Sequence, residues 1–106
     1  MALTFKQGDA FVLPLSGKLN GTAVAAADIE TLELMLGDLR KTYPGDMSYD
    51  AESGKFLLPL TQEETFSFDP GTHEYDLRIA LRGGSVIGLR KKGKFSVADA
   101  LSEEVL

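Results

Sequence analysis

Residues 75–82 read Tyr-Asp-Leu-Arg-Ile-Ala-Leu-Arg, so apolar side chains occupy every second position. This alternation predicts a β-strand with one face in a core and the other in solvent, where only Ala80 interrupts the polar series. Gly83-Gly84 follows, and such a pair suits the positive φ angles of a tight turn. Residues 85–97 then return as a strand, so we predict a β-hairpin over residues 74–97.

A second hairpin is predicted over residues 46–60, where a polar turn ends in Gly54. Glycine accepts the left-handed conformation that a bulged turn needs at this position. Pro59 has no N–H to donate, so we expect its end of the strand to lie at a sheet edge or beyond the pairing. Near the N-terminus a shorter alternating run precedes Asn20-Gly21, which is typical of a turn within a loop.

The segment 28–36 fits both a strand and a helix. Leu32, Leu34 and Leu36 share one face of a strand, whereas Leu32, Leu36 and Leu39 also fit one face of a helix. Its Ala, Leu and Glu content favours a helix, while the flanking hairpins favour a strand. We predict a strand here.

A capping-box pattern lies at residues 61–64, where Thr61 accepts from the backbone of Glu64 and the Glu64 side chain reaches back. It predicts one short helical turn near residues 61–66. Together these segments predict an all-β antiparallel sandwich or barrel of six to seven strands. We expect a single domain over residues 1–98 and a C-terminal tail over 99–106.

The composition argues against several classes of function. The 106 residues include no Cys and one His, which removes disulfides, thiolate chemistry and a histidine-built metal site. No apolar run is long enough for a transmembrane helix, and the N-terminus lacks the basic and apolar regions of a signal peptide. A net charge of −5 argues against binding to nucleic acid or to a membrane surface.

Three motifs resemble chemical sites but lack the context that the chemistry needs. Residues 88–94 fit the opening of a phosphate-binding loop, but Phe95 follows where Ser or Thr is needed, and no helix comes after it. No serine elbow accompanies His73, so we expect an exposed residue at the end of a loop. The acidic turn 46–52 lacks the spacing of a calcium loop. We therefore predict no enzyme activity, no cofactor and no metal site.

Basic residues concentrate in the predicted hairpin, since residues 77–98 contain no Asp or Glu. The basic residues of this stretch are Arg78, Arg82, Arg90, Lys91, Lys92 and Lys94. We expect a solvated face, because charged strands resist edge-to-edge aggregation. The alternative is that Arg90, Lys91, Lys92 and Lys94 form a docking patch for an acidic partner or a phosphate backbone.

The tail carries three apolar residues, Leu101, Val105 and Leu106, with no evident partner in the chain. Such a tail either docks on a neighbouring subunit or packs on its own sandwich, and the sequence leaves both readings open.

Six short segments, taken in chain order, resemble those of small proteins encoded in phage and prophage tail regions of Gram-positive gut bacteria. They are residues 5–9 (Phe-Lys-Gln-Gly-Asp), 28–29, 54–65, 75–79, 84–88 and 101–106. The chain is also similar, more distantly, to the N-terminal domain of baseplate upper proteins, which likewise opens with a Gln-Gly-Asp motif and alternating strands.

This resemblance implies an immunoglobulin-like sandwich and a non-catalytic, structural role in virion assembly. The implied partners are other tail or baseplate proteins, or further copies of the chain. The implied location is the virion, or the host bacterial cytoplasm before assembly. The alternative is a carbohydrate- or small-ligand-binding sandwich, for which Tyr43 and Tyr49 are the candidate aromatic residues.

Overall fold

Short β-strands make up most of the chain in the computed structural model, which describes residues 3–16, 18–102 and 104–106. The strands are β1 (Leu3–Lys6), β2 (Phe11–Ser16), β3 (Lys18–Leu19), β4 (Thr22–Ala23), β5 (Ile29–Leu36), β6 (Leu39–Tyr43), β7 (Ser48–Asp50), β8 (Lys55–Leu60), β9 (Gly71–Leu81), β10 (Val86–Gly88) and β11 (Gly93–Ala98). A 3-10 turn spans Ala26–Asp28 and the helix α1 spans Gln62–Phe66. Neither of these described helices is long and apolar enough to cross a membrane.

The strands form two facing sheets and a small hairpin. The larger sheet has the order β1-β11-β9-β5-β6, with β10 also paired to β9. The smaller sheet has the order β2-β8-β7, and β3 pairs only with β4. In an immunoglobulin domain strands B, E and D share one sheet, while G, F and C share the other. Reading β2, β5, β7, β8, β9 and β11 as B, C, D, E, F and G reproduces that order. The predicted all-β sandwich is confirmed.

Two details of the prediction are corrected. The described residues contain more strands than the six to seven expected, because β3 and β4 have only two residues each and β6 (Leu-Arg-Lys-Thr-Tyr) has no continuous apolar face. The pairing is also not wholly antiparallel, since β1 runs parallel to β11. The turn after β1 sends the chain across to the smaller sheet, which leaves β1 alongside the last strand rather than in a hairpin.

The core lies between the inner faces of the two sheets. Leu32, Leu34 and Leu36 of β5 are buried, and Phe56 and Leu58 of β8 are buried among the same core residues. The strand predicted for 28–36 is therefore confirmed from Ile29 onward. Burial of alternate leucines between two sheets outweighs the helical preference of the segment, because each buried leucine side chain stabilises the fold by about 2 kcal/mol.

The hairpin predicted over 74–97 is present, but its return strand is interrupted. Gly88 pairs with Arg78, whereas Gly93 pairs with Tyr75, so the register of the antiparallel ladder shifts between β10 and β11. Residues 89–92 contain the extra residues and form a bulge. At the first position of the bulge, the Leu89 N–H donates to the Leu77 carbonyl at 3.0 Å. The most basic part of the sequence is this bulge.

The hairpin predicted over 46–60 is confirmed by the pairing of β7 with β8. Gly54 has a φ of 70°, the left-handed conformation expected of it. The expectation for Pro59 is only partly met. Pro59 lies beyond the last pair of β8 with β7, Ser48 with Leu57, but it remains inside the ladder of β8 with β2, where it pairs with Val12.

The outer face of the larger sheet carries an ion-pair cluster on Glu33. The Arg40 Nε lies 2.7 Å from Glu33 Oε2 and the Arg78 Nη2 lies 2.6 Å from Oε1, so one carboxylate links β6, β5 and β9. Hydrogen bonds from the Arg40 and Arg78 guanidinium groups hold the pKa of Glu33 below its ordinary value of 4.5.

Replacing Glu33 with glutamine is expected to lower the free energy of unfolding by less than about 1 kcal/mol at neutral pH, because both arginines are solvent-exposed. The carboxyl has a depressed pKa in the folded state, so its stabilisation is present above pH 4.5 and is lost as the pH falls through the folded value. Urea unfolding at neutral and acidic pH measures this effect. Glu30→Gln, an exposed position of the same strand, is the control; equal losses in both variants would contradict the prediction.

Candidate functional site

The turn between β1 and β2 is tied to both the helical end of the sandwich and the tail by Gln7. The Gln7 Nε2 donates to the Phe68 carbonyl at 2.7 Å, while its Oε1 accepts from the Ala100 N–H at 3.2 Å. The Gln7 backbone N–H donates to the Ala98 carbonyl at 3.0 Å. One side chain thus joins the first strand, the segment after α1 and the start of the tail.

Thr65, which is 0% exposed, anchors the next two residues of the same turn. Its hydroxyl accepts from the Gly8 N–H at 2.9 Å and lies 2.9 Å from the Asp9 carbonyl, its acceptor across the turn. Gly8 has a φ of 88°, and a Cβ there would come 2.8 Å from the Phe66 ring. The Gln-Gly-Asp motif therefore has a structural role, because its contacts attach the β1–β2 turn to α1.

The predicted capping box is present at α1. The Glu64 N–H donates to the Thr61 hydroxyl at 3.2 Å and the Thr61 N–H donates to Glu64 Oε1 at 2.9 Å. The other carboxylate oxygen of Glu64 pairs with Lys41 of β6. Burial raises the pKa of Glu64, but the hydrogen bond and charge of Lys41 and the Thr61 amide outweigh it and leave the pKa below its ordinary value.

The tail follows the surface of its own domain while its apolar side chains point outward. The Ala100 N–H donates to Gln7, and the Leu106 N–H donates to Gln62 Oε1 at 2.9 Å. Yet Leu101 is 103% exposed, Leu106 is 104% exposed and Val105 is 52% exposed. Neither alternative from the sequence describes this arrangement fully: the backbone is held by the sandwich, and the three side chains remain in solvent.

The predicted basic residues lie away from the tail, on and beside the bulge. Arg90, Lys91, Lys92 and Lys94 are all exposed. Asn20, at the tip of the β3–β4 hairpin with a φ of 53°, holds the bulge from outside. Its Nδ2 donates to the Gly88 carbonyl at 3.1 Å and its Oδ1 accepts from the Arg90 N–H at 2.9 Å.

The two tyrosines are brought together by Phe56. The Tyr43 ring meets Phe56 edge-on with centroids 4.8 Å apart, and the Tyr49 ring is tilted against Phe56 at 5.1 Å. Tyr43 is half-buried and packs on the core, whereas Tyr49 is 38% exposed. Only Tyr49 presents an appreciable surface to a ligand.

A groove of about 780 Å³ that the sequence did not indicate lies beside the start of β9. Carboxylates of Asp38, Asp69 and Asp76 line it, together with His73 and Lys92. The expectation that His73 is an exposed loop-end residue is wrong: it lies in β9, is half-buried and stacks on Phe95 with ring centroids 5.3 Å apart. Phe95 is one of the buried residues of β11, and it pairs directly with His73 of β9.

Residues 46–52 form the acidic turn whose spacing differs from that of a calcium loop. Its carboxylates accept hydrogen bonds from neighbouring residues. Asp46 accepts from the Thr42 N–H at 3.0 Å, and Asp50 accepts from the Ser53 hydroxyl at 2.7 Å. The Ser53 hydrogen bond also lowers the pKa of Asp50. Within the described residues, no group of three or more His, Asp or Glu side chains has the geometry to hold a metal ion.

Exposed apolar side chains occur at a second place that sequence reasoning missed. Val86 is 64% exposed and Ile87 is 39% exposed, both in β10 next to the basic bulge. The sequence predicts only a return strand here, and β10 is short and lies at the margin of the sheet. Comparison with known proteins adds no assignment, since the sequence matches no protein-family model and no curated protein significantly.

Proposed function

We propose that the protein is a non-catalytic structural component of a phage or prophage tail or baseplate, and that it acts through protein–protein contacts. The observation that carries the proposal is the tail, whose backbone is held by Gln7 and Gln62 while Leu101 and Leu106 are fully exposed. The segments that resemble phage tail-region proteins support the same assignment.

Covering one leucine side chain stabilises a complex by about 2 kcal/mol. A single exposed leucine is ordinary on a protein surface, but here three apolar side chains fall within one short segment. Because the backbone of this segment is already held at two points, docking requires less ordering than a free peptide would. The tail is therefore preorganised for contact with a partner.

The assembled particle is the proposed location of the protein, which enters it from the host bacterial cytoplasm. A second candidate, a carbohydrate- or small-ligand-binding module, is favoured by the groove beside His73. A glycan screen separates the two proposals, because the structural role requires no retained glycan.

The double variant Leu101→Ser/Leu106→Ser is expected to reduce incorporation of the chain into purified tail particles by at least about tenfold, through loss of apolar contact. Incorporation is measured by quantitative mass spectrometry of gradient-purified particles from cells that carry the phage genes. The variant's thermal midpoint should equal the wild type's, because both side chains lie in solvent.

Val12→Ser is the matched control, since Val12 is 54% exposed on the smaller sheet and lies outside the tail. Full incorporation of the double variant, or an equal loss in Val12→Ser, would contradict a contact made by the tail.

A further inference from the structure

We infer that the tail of one copy docks on the β10 margin of a second copy, so that the chain associates with itself through two unlike surfaces. The receiving surface, here called the basic margin, consists of Val86, Ile87, Arg90 and Lys91. This inference rests on the proposed function, because it names the partner of the tail described there.

The basic margin combines exposed apolar surface with positive charges that form no ion pair among the described residues. Val86 and Ile87 are 64% and 39% exposed, and Arg90 and Lys91 follow them in the bulge. Residues 77–98 contain no carboxylate side chain. Among the described residues, the ion pairs involve Arg40, Lys41 and Arg78 rather than either residue of the bulge.

The tail has the complementary character. Asp99 and Glu104 are exposed and alternate along the segment with the exposed Leu101 and Val105. Each surface therefore joins apolar side chains to charges of one sign, and the signs are opposite. Complementary charges of this kind steer association and select the partner, while the apolar contacts supply most of the affinity.

The two surfaces of one chain do not meet. The strand that leads into the tail makes its last pair with β9 at Val97, which pairs with Gly71, whereas Val86 pairs with Ala80 near the other end of β9. Nine residues of strand at about 3.3 Å each separate Val86 from Val97 by about 30 Å, and the bulge that carries Arg90 and Lys91 lies opposite residues 75–77, about 13 to 20 Å along β9 from Gly71. The tail then runs to Gln62 on α1 rather than toward the bulge. Contact between the two surfaces consequently requires a second copy.

A charge-swap experiment tests the inference. One variant, Asp99→Lys/Glu104→Lys, makes the tail basic, and the other, Arg90→Glu/Lys91→Glu, makes the margin acidic. The mean mass of each protein is measured by light scattering or sedimentation over a range of concentrations. We expect the wild type to self-associate, and each variant alone to associate at least about tenfold more weakly.

An equimolar mixture of the two variants is expected to recover wild-type association, because each reversed surface then meets its opposite. The wild-type association should also weaken as salt rises from about 50 to about 500 mM, where the charges become screened. Glu52→Lys and Lys55→Glu are the controls, since they reverse exposed charges in the β7–β8 hairpin. Both should associate as the wild type does.

A monomeric wild type at every concentration would overturn the inference, as would association that neither reversal weakens or a mixture that fails to recover it. None of these results removes the chain from purified particles. The particle measurement therefore decides the proposed function separately.

Discussion

Gly93→Ala is expected to destabilise the fold by about 1 to 3 kcal/mol, the range for forcing an extra group into an occupied site. Gly93 lies directly opposite Tyr75 in the ladder between β11 and β9. The Tyr75 ring covers the glycine so closely that a Cβ on Gly93 would overlap the ring carbons and the hydroxyl. The ring must leave its position, and the return of the chain from the bulge into β11 is disturbed with it.

Gly83→Ala is the matched control, because a Cβ on Gly83 would meet no atom within 4 Å. The free energy of unfolding is measured for both variants by urea titration. Adding Gly93→Ala to a Tyr75→Ala background should cost much less than adding it to the wild type, because the ring is then absent. Equal losses from Gly93→Ala in the two backgrounds would show that ring overlap is not the cause.

Thr65→Val is expected to lower the free energy of unfolding by about 2 to 3 kcal/mol, although the two side chains are similar in size and shape. The hydroxyl of Thr65 is fully buried and receives the Gly8 N–H at 2.9 Å. Valine leaves that donor, and the Asp9 carbonyl beyond it, without a partner. The β1–β2 turn then loses its attachment to α1, so the nearby amide of Ala100 should also exchange faster with solvent.

Thr65→Ser separates the hydroxyl from the methyl group, because it keeps the hydrogen bonds and removes only the apolar contact. It should cost less than Thr65→Val. Urea titration of both variants measures the difference, and a larger loss in Thr65→Ser would mean that packing rather than hydrogen bonding secures this turn.

Local pattern was sufficient to predict the elements that bury a repeating face. Three features depend only on residues that are neighbours in the sequence, and they could therefore be predicted from it. They are the alternation in β9, the capping box at Thr61 and the left-handed conformation of Gly54. The strand at 29–36 was harder, since its leucines fit either periodicity until the facing sheet is known.

Contacts between distant residues could not be predicted in the same way. Gln7 and Ala100 lie 93 positions apart, and no local sequence pattern indicates that the Gln7 side chain joins the β1–β2 turn to the tail. His73 was assigned to a loop because its stacking partner, Phe95, becomes its neighbour only through strand pairing. The bulge likewise depends on a register shift, and a register is a property of two strands together.

The amount of wild-type chain in purified tail particles tests the proposed structural role most directly. Particles are isolated by density gradient from cells that carry the phage genes, and this chain is quantified against the known tail proteins by mass spectrometry. We predict a constant ratio of the chain to those proteins across preparations, as expected for a structural component held by its tail. Its absence from particles, with the chain abundant in the same lysate, would contradict the proposed role.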